Sequence, residues 1–250
     1  MTATDPQIRH DQPESRRWAV CVGALGVAYA LCLATSLGAA GRVVTFRATD
    51  GRVLTGLLLE ARNRPAPAVV LAPMLGRPKD DWQGVAQRLA EVNITALAID
   101  LPATTLPSDS EELVKWHEDI NAAVAFLNGR PEIRADAIGV AGASLGANLA
   151  LLAAAGNPAI RSIALVSPSL DYRGVRIDTG LRQYGERPAL LIASVHDPYA
   201  ARSVRELAQD TSGSRAVRWS NAAAHGTVLL SRDPDLIRVL VEWFQQTLVK

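Results

Sequence analysis

The chain has 250 residues, 48% of them hydrophobic and 20% charged, with a formal net charge of +1. That is the make-up of one globular domain with a full core, and its near-neutral balance excludes the broad positive field of a nucleic-acid binder. No GxxxxGK[ST] or GxGxxG phosphate loop, no metal-spaced His/Cys cluster, no heptad run and no internal repeat is present, so neither a metal nor an organic cofactor is implied.

The chain begins with a targeting pattern. Ser15-Arg16-Arg17 precedes an uncharged stretch, residues 18–41, that ends in the small residues Gly38-Ala39-Ala40. A positive start, an apolar middle and a small-residue end read as an export signal, and the arginine pair resembles a twin-arginine signal. The same stretch is long enough to span a bilayer, and arginines ahead of it would leave the body outside the cytoplasm. Residues 1–41 are therefore expected to be an export signal or a membrane anchor. The body, residues 42–250, is expected in the periplasm or outside the cell, free or membrane-attached through residues 18–41. Both cysteines, Cys21 and Cys32, lie in the apolar stretch, so the body holds neither a disulfide framework nor a cysteine nucleophile.

From residue 42 the pattern is regular. RVVTFRATDGRVLTGLLLE predicts two strands joined by a tight turn at Asp50-Gly51. AVVLA (68–72) is a short apolar run flanked by proline, the mark of a buried strand. DDWQGVAQRLAEV (80–92) has helical spacing, ITALAID (94–100) is a second buried strand, and SEELVKWHEDINAAVAFLNG (110–129) predicts one long amphipathic helix. Strand AIGVAG (137–142) runs into a helix, followed by strands SIALVS (162–167) and ALLIAS (189–194). Helix 201–210, strand RAVRWS (215–220) and helix 233–248 close the chain. Alternating strands and helices imply a mostly parallel central sheet with helices on both faces, and the opening hairpin adds antiparallel strands at one edge. In open sheets of this kind, reactive groups gather beyond the carboxyl ends of the strands.

Three residues meet that condition. Ser144 lies in Gly142-Ala143-Ser144-Leu145-Gly146, a GxSxG between a strand and a helix. A sharp turn there forces a strained serine backbone and needs nearly bare neighbours two positions away. Asp197 follows strand 189–194, with Pro198 placed to start a helix; Asp171, after strand 162–167, is the rival carboxylate, and Asp100 reads as a brace. His225 follows strand 215–220 in a small-residue loop, where neither packing nor helix propensity explains an imidazole. Of the four histidines, His10 precedes the export pattern, His117 lies on a helix and His196 sits in a loop. A hydroxyl is a weak nucleophile until a base takes its proton, and the base needs a carboxylate to orient it. An oxyanion site is also needed, and backbone N–H groups of Leu145 and of Leu75 or Met74 are the candidates.

The run VVLAPMLGRPKDDWQGVAQRLAEVNITALAIDLP, the elbow GVAGASLGANLAL, the acid loop LLIASVHDPYAARSVRELA and the histidine loop NAAAHGTVLL occur in that order. Over residues 42–250 the chain thereby resembles the α/β-hydrolase superfamily, with VSPSLDYRGV similar to its dienelactone-hydrolase-like esterase branch. The resemblance implies an α/β-hydrolase fold and a carboxylesterase-like serine hydrolase of small-molecule esters, with Ser144 as nucleophile, His225 as base and Asp197 as acid. Pro73-Met74 replaces the His-Gly that is usual after the first parallel strand. That departure favours the alternative of a catalytically idle binding protein, and a peptidase or amide hydrolase with the same triad is another. The segment Pro168–Pro188 holds four arginines and is expected to form a small lid or none.

Overall fold

A computed structural model of the chain describes residues 1–2 and 41–249. The expected export signal or anchor at 18–41, with both cysteines, lies outside the described residues save for Gly41. Among the described residues no helix is long and apolar enough to cross a membrane.

The opening hairpin is β1 (Arg42–Arg47) and β2 (Val53–Leu59), paired antiparallel. Its turn relies on Gly51 at φ 87°, a left-handed conformation that costs glycine nothing. β3 (Ala66–Ala72) is buried throughout. A short 3-10 helix (Lys79–Trp82) leads into α1 (Gln83–Glu91), and β4 (Thr95–Ile99) follows.

The long helix expected over 110–129 is two helices, α2 (Ser110–Lys115) and α3 (His117–Asn128), meeting at buried Trp116. The junction tightens to i→i+3 bonding: Trp116 N–H donates to Leu113 O, and Asp119 N–H to Trp116 O. His117 Nδ1 meanwhile takes the Val114 carbonyl at 2.6 Å, removing an acceptor that a continuous helix uses.

β5 (Ile133–Ala143) runs through Ser144 into α4 (Leu145–Gly156), and β6 (Ile160–Val166) follows. Residues 168–188 form a small insertion: a two-stranded ribbon, β7 (Asp171–Tyr172) and β8 (Val175–Arg176), then α5 (Gly180–Tyr184). Val175, Ile177, Leu181 and Tyr184 bury their side chains, and Asn148 of α4 donates to the carbonyls of Ser169 and Val175 at 2.8 and 2.9 Å. Of its arginines, Arg187 is structural. It donates to the carbonyls of Ala154, Asn157 and Ile160 and stacks on Tyr184 with its guanidinium 4.1 Å from the ring centre.

β9 (Ala189–Ser194), α6 (Pro198–Leu207), β10 (Arg215–Ser220), α7 (Thr227–Arg232) and α8 (Asp235–Leu248) complete the chain. The eight-stranded sheet has the order β1-β2-β4-β3-β5-β6-β9-β10, antiparallel at β1–β2 and β2–β4 and parallel elsewhere. Its buried strands are apolar on both faces because both are covered. Val70, Leu97, Val140 and Leu165 face α3 and α4, whereas Val69, Leu71, Ala141 and Val166 face α1 and α8. This period-two alternation makes two core layers from a single sheet.

Register decides where the reactive loops fall. Ala72 pairs with Gly142, Ala143 with Val166, Val166 with Ile192, and Ser194 with Ser220. The ends of β3, β5, β6, β9 and β10 are thus level, and the residues just past them share one edge.

Candidate active site

Ser144 is one residue past β5 with φ 52° and ψ −120°. A side chain in that region costs roughly 1–3 kcal/mol and persists only where the surroundings enforce it. Ser144 N–H donates to Val166 O of the neighbouring strand at 2.8 Å, and its carbonyl accepts from Ala147 and Asn148 in the first turn of α4. The two glycines are steric requirements. A Cβ on Gly142 would lie 2.1 Å from Gly146 O, and one on Gly146 would lie 2.4 Å from Pro73 O.

The structure brings together the three side chains singled out in the sequence. His225 Nε2 lies 2.7 Å from Ser144 Oγ, and His225 Nδ1 lies 2.5 Å from Asp197 Oδ2. A carboxylate only accepts, so Nδ1 carries the proton and Nε2 presents its lone pair to the serine hydroxyl. The Ser144 residue is 8% exposed, whereas the His225 side chain is 44% exposed, so the residue that carries the hydroxyl is sheltered while the imidazole is open to solvent. Asp197 divides its oxygens. Oδ2 meets His225, while Oδ1 accepts from Ala200 N–H at 3.1 Å and caps α6.

The rival groups lie elsewhere. Asp171 sits on β7 and accepts from Gly174 N–H. Asp100 holds Lys79 through its backbone N–H and its Nζ. His117 faces Val114 O and Glu118, and His196 is exposed, its N–H bound to Ser194 Oγ.

The oxyanion candidates flank the elbow. Leu145 is the first residue of α4, whose leading N–H groups have no partner within the helix and sit at its positive end. Met74 and Leu75 follow β3, whose last residue pairs with Gly142, and the Ala72 and Pro73 carbonyls close against Gly146. The Met74 side chain also reaches the histidine loop, its Sδ 2.6 Å from where a Cβ on Gly226 would stand. Among the described residues no group of three or more His, Cys, Asp or Glu is arranged to hold a metal ion.

Sequence reasoning missed the residues that hold the histidine loop. Ser167 follows β6, fully buried at φ 51°, and its Oγ accepts from Gly226 N–H at 3.0 Å. Thr227 Oγ1 donates to Asp81 Oδ2 at 2.7 Å. Only the position of Ser167 past a buried strand hinted at a role. Ser167→Ala leaves Gly226 N–H without its acceptor beside the base; activity is expected to fall about tenfold while thermal unfolding shifts by a few degrees, measured on the same preparation.

The fold so assembled is that of the α/β-hydrolases. A search of solved structures returns the α/β-hydrolase GrgF from a Penicillium species, with a TM-score of 0.67, 14% identity, and coverage of 84% of this chain and 99% of that one. Dienelactone hydrolase from Anabaena variabilis gives a TM-score of 0.65, 22% identity and coverage of 83% and 98%. In sequence, the thiohydrolase apmlB of Arthrinium phaeospermum is 33% identical over 131 residues, which cover 50% of this chain and 42% of that protein. The matched stretch is thus less than half the length of the curated relatives. A scan against protein-family models returns no match.

Proposed function

We propose that the protein is a serine hydrolase that cleaves small carboxylic esters through an acyl-enzyme. The observation that carries the reading is Ser144 Oγ, held on a strained turn 2.7 Å from His225 Nε2, with Asp197 behind the ring. Ser144 Oγ attacks the acyl carbonyl carbon, and its proton passes to Nε2. Asp197 stabilises the resulting imidazolium. Amides of Leu145 and of Leu75 or Met74 receive the oxyanion. Nε2 returns the proton to the leaving alcohol as the C–O bond breaks, leaving acyl-Ser144. Water, deprotonated by His225, then releases the acid and restores the serine.

A thioester is the second substrate reading, favoured by the 33% identity to apmlB, whose name is thiohydrolase. The same steps apply, with a thiol leaving in place of an alcohol. The residue 18–41 stretch supports export or membrane attachment, which the mass of the mature protein tests.

The direct test is a fluorophosphonate probe with peptide mapping, run beside turnover of matched short-chain esters and thioesters. Stoichiometric labelling of Ser144, with turnover of one substrate set, is expected. No labelling and no turnover above buffer would leave an idle fold that only binds.

A further inference from the structure

Asp81 lies between the two loops that carry the proposed machinery. Its carboxylate accepts from Arg77 Nε and Nη2 at 2.7 and 2.8 Å, and from Thr227 Oγ1 at 2.7 Å. Arg77 is two residues past Leu75, in a turn closed by Arg77 N–H on Met74 O. Thr227 is two residues past His225. One carboxylate therefore joins the oxyanion loop to the histidine loop, across 146 residues of sequence.

The Arg77–Asp81 pair alone would be a commonplace exposed i,i+4 bridge, with the Arg77 side chain 47% exposed. The Thr227 bond is different, because Thr227 is 3% exposed and follows the glycine against which Met74 packs. Burial pushes the Asp81 carboxyl up. The Arg77 hydrogen bonds, the Thr227 hydroxyl and the Arg77 charge outweigh it and hold the group below the usual carboxylate value. Asp81 is therefore ionised at neutral pH and its three bonds are charge-assisted. The Gly226–Thr227 pair is thus gripped from two sides, by Ser167 on the strand ends and by Asp81 on the 3-10 helix.

We infer that Asp81 is a positioning residue that fixes the spacing between the oxyanion amides and His225. The inference rests on the hydrolase reading above. Catalysis tolerates little misplacement: a shift of about 1 Å can cost about 10²-fold. The loss should appear in kcat, because neither Asp81 nor Thr227 touches the reacting atoms and binding of the ground state needs no exact oxyanion geometry.

The test compares wild type, Asp81→Ala, Thr227→Val, the double variant, Thr227→Ser and Ser144→Ala on one short-chain ester, with thermal unfolding followed in parallel. Asp81→Ala and Thr227→Val are each expected to lower kcat about tenfold with KM changed by less than about twofold. The double variant should be no worse than the weaker single, because both remove one linkage. Thr227→Ser keeps the hydroxyl and should restore wild-type kcat. Should Asp81→Ala fail to fold, Thr227→Val carries the comparison, since it removes only a hydroxyl. A wild type no faster than Ser144→Ala would sink the hydrolase reading and this role with it. A wide gap between those two, with Thr227→Val at wild-type kcat or with the loss confined to KM, would overturn the positioning role alone.

Discussion

Ser144→Ala, His225→Ala and the double variant are expected to fall to one common residual activity, about 10⁴- to 10⁶-fold below wild type in kcat. The equality is the informative part. Nε2 and Oγ are 2.7 Å apart and in the proposed mechanism act in a single proton transfer, so once either is gone the other has no function left to lose. Independent contributions would multiply instead. Under the proposed mechanism the residual rate then reports the amides of Leu145 and Leu75 or Met74, which none of these changes touches. Burst and steady-state kinetics on a chromogenic ester, with the three variants and wild type side by side, decide it. A double variant markedly slower than either single would mean that Ser144 and His225 do not work as a pair.

Asp197→Asn sharpens the same prediction. An asparagine keeps one oxygen, which can still accept Ala200 N–H and cap α6, so the helix start is retained. Its amide nitrogen then faces His225 Nδ1 where a carboxylate oxygen stood. Two donors cannot bond, so the ring presents Nδ1 as an acceptor to the new amide and leaves Nε2 protonated towards Ser144. A loss of about 10⁴-fold in kcat with an unchanged unfolding midpoint is expected. Asp197→Ala removes the cap as well, and should cost about 1 kcal/mol more in stability than Asp197→Asn.

What could be read from the sequence, and what could not, follows from the range of the interactions. The buried strands announced themselves as apolar runs because a sheet covered on both faces admits nothing else. Ser144 and Asp197 were legible because each follows such a run, His225 because it follows the edge strand β10, whose burial is slight, and level strand ends convert sequence position into spatial proximity. The break at Trp116 was hidden because Leu113, Trp116, Ile120 and Ala123 keep a helical spacing straight through it. Helix α7 is six residues long, too short to show a period, and it starts where Gly226 takes φ 58°. The insertion at 168–188 looked polar because its apolar anchors, Val175, Ile177, Leu181 and Tyr184, are spread among charged residues. Least legible were Asp81, Thr227 and Ser167, whose partners lie 59 and 146 residues away. Nothing local in DDW, SPS or HGT marks such a bond.

At the elbow a single added methyl group should decide stability. Gly142→Ala places a Cβ 2.1 Å from Gly146 O, 2.4 Å from Gly146 C and 2.7 Å from Ala147 N. All three are backbone atoms of the first turn of α4, so no side chain can swing aside. The strand cannot yield either, since Gly142 pairs with Ala72 on one side and Leu165 on the other. Helix α4 must therefore lift from the sheet, carrying Ser144 and the Leu145 amide with it. The change is expected to cost about 3 kcal/mol or more, a fall of about 6–12 °C in the unfolding midpoint, with activity lost beyond what the folded fraction explains. Gly156→Ala is the matched control. It ends the same helix, is exposed, and its added Cβ meets nothing within 4 Å, so alanine's helix propensity should leave stability unchanged or raise it by up to about 1 kcal/mol. One substitution at two glycines of one helix thus has opposite expected signs. The difference lies only in how closely the chain doubles back beneath the serine, and a Gly142→Ala protein as stable and active as wild type would mean that it does not.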